Sequence, residues 1–175
     1  MATMTRTLEI EEGELLYHAV HGLCRMDEVI EQGQSGKKVR CYSLVPQPNN
    51  NKMKTRFVIE ISQIEVSGFH PLVSLDEANK ILDYLKPSSP KKVTGQNQTW
   101  ELAQAILTFS QDAAAGKDQR KRQMLHQSVK GLLGELAYVM KLNLKDTAAK
   151  IQKSLGNSSK VHPLVATALE QASED

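Results

Sequence analysis

Aromatic residues are scarce in this 175-residue chain: three Phe, four Tyr and one Trp. The core is therefore expected to be aliphatic, and the lone Trp100 becomes worth locating. Cysteine is scarcer still. Cys24 and Cys41 are too few for a disulfide framework and lack the C-x-x-C spacing of a zinc or redox site. Their ordinary reading is two small apolar residues in a reducing compartment. No run of about 18 apolar residues occurs, so no membrane-spanning helix is expected. The opening MATMTRTLEIEEGELL lacks the apolar core, about 7–15 residues long, of a secretory signal. Catalytic signatures are missing too: no P-loop, G-x-G-x-x-G, H-E-x-x-H or G-x-S-x-G is found. His18 and His21 sit three apart beside a glycine in a strand-turn region, where that spacing is not expected to bring both rings to one face. No enzyme activity, metal or cofactor is expected.

The chain has an ordinary globular composition, 40% hydrophobic and 24% charged. A wholly disordered chain and a collagen-like repeat are thereby excluded. The net charge of +2 says little, but its distribution says more. Residues 1–89 carry 10 Lys/Arg against 12 Asp/Glu, and residues 90–175 carry 12 against 8. The mildly basic second half favours an anionic partner there. The acidic run Glu9, Glu11, Glu12 and Glu14 reads as a solvated N-terminal arm.

Periodicity also divides the chain. Short β-rich segments at Leu15–Tyr17, Leu23–Ile30, Val39–Val45 and Arg56–Ile61 are separated by turn clusters at 32–36 and 46–51. That pattern predicts a small antiparallel barrel. After Gly68 the period becomes helical. Ser74 and Glu77 make a capping box ahead of Ala78, Ile81, Leu82 and Leu85. Residues 86–99, KPSSPKKVTGQNQT, read as a linker. Beyond it Trp100, Ala103, Ile106 and Leu107 form one amphipathic face, and Lys121–Leu142 is the strongest helix. Lys145–Leu155 is a further helix, and the tail holds a short apolar patch around Leu164 and Leu169. The fold class is α+β, with a domain at 10–86, a linker at 87–99, a helical domain at 100–157 and a tail at 158–175.

The run Lys117, Arg120, Lys121 and Arg122 places four cations in six residues near the start of the strongest helix. Cations there are mildly disfavoured by the helix dipole, so an exposed polar face and a phosphate-binding patch are both open readings. Lys91 and Lys92 would add to such a patch. Trp100 opens a helix after a polar stretch, and is either a core anchor or a plane that stacks on or wedges against a base.

Three blocks together carry a family resemblance. Residues 13–29, GELLYHAVHGLCRMDEV, resemble the strand-turn-strand that opens the CarD/CdnL family of bacterial transcription regulators. Residues 57–85, FVIEISQIEVSGFHPLVSLDEANKILDYL, resemble that family's later strand, turn and first short helix. Residues 122–137, RQMLHQSVKGLLGELA, resemble its long helix. Each block is a soft pattern, and their order over most of residues 12–155 is the specific part.

The resemblance implies a Tudor-like N-terminal barrel, shared with the transcription-repair coupling factor, that docks on the β subunit of RNA polymerase. Docking of that kind adds a strand edge to the partner. Arg56 is the first candidate for an acidic β-subunit contact, with Val58 on the same strand and Arg40 and Lys38 on its neighbour. The resemblance further implies a helical domain that contacts promoter DNA and wedges a tryptophan into the minor groove at the edge of the melted region. Trp100 takes that place here, with Lys117, Arg120, Lys121 and Arg122 as phosphate contacts. The interval from Trp100 to Met124 is about one helix shorter than in the family, which leaves the core-anchor alternative for Trp100 open. The resulting expectation is a cytoplasmic, monomeric, non-enzymatic regulator of open-complex stability. Its alternatives are a protein-interaction adaptor without DNA contact and a free-standing architectural DNA-binding protein.

Overall fold

The structure is a computed structural model that describes residues 9–34, 36–47, 56–86, 98–111, 115–156 and 163–174. The chain forms two compact units, Met1–Pro71 and Leu72–Asp175.

The first unit is a five-stranded antiparallel sheet. β1 is Leu15–His18, β2 Gly22–Gln34, β3 Lys37–Pro46, β4 Phe57–Glu60 and β5 His70–Pro71. The strand order is β4-β3-β2-β1-β5. The expected barrel closure is not seen: among the described residues no pairing joins β4 to β5, and both are edge strands. β2 and β3 form the long central hairpin, from Cys24 opposite Pro46 to Gln34 opposite Lys37, with a bulge between Met26 and Glu28. Cys41 to Val45 are all buried, so this stretch of β3 is covered on both faces. A 3-10 turn, Ile61–Val66, follows β4 and sends Ile64 into the core. That core comprises Ile10, Leu16, Cys24, Met26, Tyr42, Leu44, Ile64 and Phe69. Ile10 thus anchors the acidic N-terminal run, while Glu9, Glu11 and Glu12 stay exposed.

The second unit is all helical. α1 is Leu75–Leu85, α2 Gln98–Gln111, α3 Gln119–Met140, α4 Leu144–Leu155 and α5 Pro163–Glu174. Ser74 caps α1 by accepting the Glu77 N–H at 3.1 Å, the half of the capping box that orphan donors require. Asn143 caps α4 in the same way through Asp146 N–H at 2.7 Å. α3 is the central helix, and α1, α2, α4 and α5 all pack on it. Leu125, Val129, Leu132, Leu133 and Leu136 of α3 meet Ile81 and Leu85 of α1, Ile106 of α2, Ile151 of α4 and Val165 and Leu169 of α5 in one core.

Two boundaries move. Residues 73–86 are not a closing element of the barrel domain: α1 belongs to the helical core, and the units part between Pro71 and Leu72. Composition cannot place this boundary, because the polar stretch follows α1 while the change of core precedes it. Residues 87–97 of that stretch lie outside the described residues, and 98–99 already belong to α2. The tail, read from sequence only as a short apolar patch around Leu164 and Leu169, contains a 12-residue helix that buries Val165, Ala168, Leu169 and Ala172.

Candidate sheet-edge and basic surfaces

β4 is hydrogen-bonded on one side only. Its register on β3 runs Phe57–Leu44, Val58–Ser43, Ile59–Tyr42 and Glu60–Cys41, and its other side has no partner among the described residues. Such an edge presents a row of backbone donors and acceptors to any added strand. Val58 is 41% exposed there. A pocket of about 310 Å³ lies beside it, lined by Gln32, Val39, Cys41, Val58 and Glu60.

Arg56, just before β4, differs from its expected role as an outward cation. Its Nη1 donates to Asp27 Oδ2 at 2.9 Å and to Ser43 Oγ at 3.1 Å, with Glu28 Oε1 3.6 Å away. The bulge in β2 makes Asp27 the extra residue on that strand, beside the Arg56 guanidinium. Arg56 therefore staples β4 to the β2–β3 hairpin, and its charge is already opposed by two carboxylates. Lys38 and Arg40 are exposed on β3 and make no ion pair among the described residues.

The histidines at the β1–β2 turn meet after all. The rings of His18 and His21 lie 4.4 Å apart, because the chain reverses at 19–21 and His21 stands outside the strand whose alternation would have separated them. Phe69 packs 4.7 Å from His18, and Phe57 4.6 Å from His21. His18 Nδ1 accepts the backbone N–H groups of Val20 at 3.0 Å and His21 at 3.2 Å. Two donors on Nδ1 leave Nε2 as the protonated nitrogen, which donates to the Ser67 carbonyl at 3.2 Å. Burial, then the neighbouring His21, hold the His18 pKa below its usual 6.5. Gly68 closes this corner at φ +93°, where an added Cβ would stand 2.5 Å from His18 Nε2. Among the described residues no group of three His, Cys, Asp or Glu converges as metal ligands would.

In the helical unit Trp100 is 2% exposed. Its indole N–H donates to Glu77 Oε1 at 2.9 Å, and its ring meets Tyr84 edge-on with centroids 5.5 Å apart. The wedge assignment is corrected accordingly: Trp100 is the core anchor, with its ring and its only donor spent inside the unit.

The cationic run stands differently. Lys117, Arg120, Lys121 and Arg122 are all exposed around the start of α3. Asp118 caps that helix, accepting from Arg120 N–H at 2.9 Å and from Lys121 N–H at 3.4 Å. No acidic residue follows in the first turn, and Lys117, Arg120 and Arg122 form no ion pair among the described residues. Lys91 and Lys92 lie outside the described residues.

One neighbour of the cationic run was not read from the sequence. A groove of about 400 Å³ between α2 and α3 reaches Lys121 and exposes Met124 to 57%. The signal was present: Met124 follows Lys121 by three positions and shares its side of the helix.

No helix among the described residues is long and apolar enough to cross a membrane. A scan against models of known protein families finds no match, and a search of curated proteins finds none.

Proposed function

We propose that the chain regulates bacterial transcription by holding RNA polymerase through its first unit and promoter DNA through its second. The observation that carries this reading is the open edge of β4, with Val58 exposed beside it. Read as a Tudor-like domain, the first unit pairs this edge with a strand of the polymerase β subunit. Main-chain hydrogen bonds then supply affinity, and Val58 and the adjoining pocket set the register. Lys38 and Arg40, exposed on β3, are the candidates for acidic groups on the partner, since Arg56 is paired internally.

The second unit contributes Lys117, Arg120, Lys121 and Arg122 as phosphate contacts. Four cations give a modest, salt-dependent attraction to DNA. Tethering to polymerase raises the local DNA concentration, so weak contacts suffice. Any effect on melting equals the difference in binding to open and closed promoter states. Trp100 has no part in this version. The burial of Trp100 favours a second reading, an adaptor without DNA contact, and charge reversal at Lys121 and Arg122 separates the two. The adaptor retains its promoter effect, whereas the DNA-contacting regulator loses it.

The test of the tether is binding of the full chain to bacterial RNA polymerase core. Wild type is expected to bind, and Val58→Glu to bind about tenfold or more weakly with an unchanged melting temperature. Absence of wild-type binding, or indifference to Val58→Glu, contradicts the edge-docking reading. Arg56→Glu is a poor probe, because it sets a third carboxylate beside Asp27 and Glu28.

A further inference from the structure

A recess of about 600 Å³ lies between the C-terminal parts of α1 and α4, within the helical unit. Asn79, Asp83 and Lys86 line it from α1, and Lys150, Lys153 and Ser154 from α4. Positions 153 and 154 follow 150 by three and four, so these side chains are neighbours on one helix face. Lys86 is held by Asp83, Nζ to Oδ1 at 2.8 Å. Lys150 and Lys153 are exposed and make no ion pair among the described residues. Ser154 is the unusual member, since it is only 8% exposed. Hydroxyls inside helices commonly donate to the carbonyl four residues back, and Ser110, Thr147 and Thr167 do so here. The Ser154 hydroxyl makes no hydrogen bond among the described residues. Among those residues no sealed side-chain oxygen or nitrogen lacks a partner, so this hydroxyl is open to the recess that Ser154 lines.

We propose that this recess binds the phosphoryl group of a small phosphate monoester. Charge and donor number select this ligand. The Asp83–Lys86 pair is neutral as a whole, which leaves the charges of Lys150 and Lys153 unmatched. A phosphate monoester carries about −1.5 to −2 near pH 7 and three strong acceptor oxygens. Two ammonium groups and one hydroxyl offer one donor group to each of those oxygens. A carboxylate, or a phosphodiester of nucleic acid, has a single charge and two free oxygens, and leaves part of this set unused. The carbonyl ends of α1 and α4 oppose an anion with about half a charge each, less than the two lysines supply together. The recess also exceeds a phosphoryl group and falls in the range of about 300–1,000 Å³ typical of small-molecule sites. Its remaining space, walled by Leu82, takes the body of the ester.

The probes are phenyl phosphate and methyl phenyl phosphate, which share one ring and differ by one charge and one free oxygen. Each is titrated into the full chain while backbone amide signals are followed by NMR, and a DNA duplex is titrated separately. Phenyl phosphate is expected to shift the amides of residues 79–86 and 150–156 more than those of 117–122. It is also expected to bind about tenfold or more tightly than the diester. Lys150→Gln and Lys153→Gln together are expected to weaken it about tenfold or more, and Ser154→Ala alone about threefold to tenfold. Neither change is expected to lower the melting temperature, because none of the three groups has a partner to lose among the described residues. The inference is overturned if phenyl phosphate leaves these amides unmoved, if both esters bind equally, if Ser154→Ala binds like wild type, or if the duplex alone moves the amides. The β4 edge and the cations at the start of α3 play no part here, so failure of this site leaves the proposed function standing, and the reverse holds as well.

Discussion

The indole N–H of Trp100 donates to Oε1 of Glu77 across 2.9 Å, and this one bond ties the first turn of α2 to the first turn of α1. Glu77 thereby serves both helices: its backbone N–H is the donor that Ser74 caps, and its carboxylate accepts from the indole. A large ring held this way is structural. Trp100→Ala is expected to destabilise the chain by about 3–5 kcal/mol, the range for deleting a buried aromatic. Trp100→Phe keeps most of the packing, loses the bond to Glu77, and is expected to cost about 1–2 kcal/mol. Denaturant midpoints of the full chain measure both. An exposed wedge would leave the midpoint of Trp100→Ala unchanged.

Glu135 is fully buried on α3, yet well supplied with donors. It accepts the Val73 N–H at 3.2 Å and the Thr99 hydroxyl at 2.9 and 3.0 Å, joining the chain entering α1 to α2 and α3. Glu135→Ala removes that acceptor from both groups and is expected to cost about 2–4 kcal/mol. Glu135→Gln keeps the shape and one acceptor and should cost less. Equal losses in the two variants, read by thermal unfolding, would contradict this, because they would show that the shape and the one acceptor oxygen that Gln retains contribute nothing.

His18 makes the first unit acid-sensitive. Its folded pKa lies below 6.5 because of burial and of His21, with His70 acting in the same direction and the Ser67 carbonyl opposing them. The unfolded chain therefore binds a proton more readily than the folded one. Stability is complete above about pH 6.5, the unfolded value, and falls as pH drops from there toward the folded pKa. Structurally, a proton on Nδ1 would face the Val20 and His21 N–H groups that now donate to it. Unfolding of the β-sheet unit followed from pH 7.5 to 5 checks this. His18→Asn is expected to flatten the dependence over that window, and an unaltered slope would assign it elsewhere.

Lys141 ends α3 in the left-handed conformation, φ 56° and ψ 43°, with its N–H on the Ala137 and Tyr138 carbonyls. It is the only non-glycine residue with positive φ among the described residues. Lys141→Gly relieves the Cβ crowding of that conformation and is expected to stabilise the chain by about 0.5–1 kcal/mol. A loss of stability would mean that the lysine stem contributes packing that outweighs the backbone relief.

Much of the architecture was readable because local rules agreed with the tertiary result. The Ser74 cap, the apolar stripe of α3 and the strand segments around Cys24 and Tyr42 all stand where periodicity places them. Failures came where partners distant in sequence decide. Glu135 falls three positions after Leu132 on the buried stripe, and only Val73 and Thr99, distant in sequence, explain a carboxylate there. Arg56 reads as a free strand cation until the bulge at Asp27 comes beside it. The His18–His21 contact depends on where the turn begins, and a strand rule cannot supply that. α5 has short, alanine-rich apolar spacing, and its helix is fixed by packing on α3 and α4.

Hydrogen exchange of the full chain with and without bacterial RNA polymerase core tests the account most directly. The account predicts that residues 57–60 of β4, whose outer side has no strand partner among the described residues, become protected on binding while the α3 core does not change. Binding that leaves β4 unprotected, or no binding by the folded chain, would contradict it.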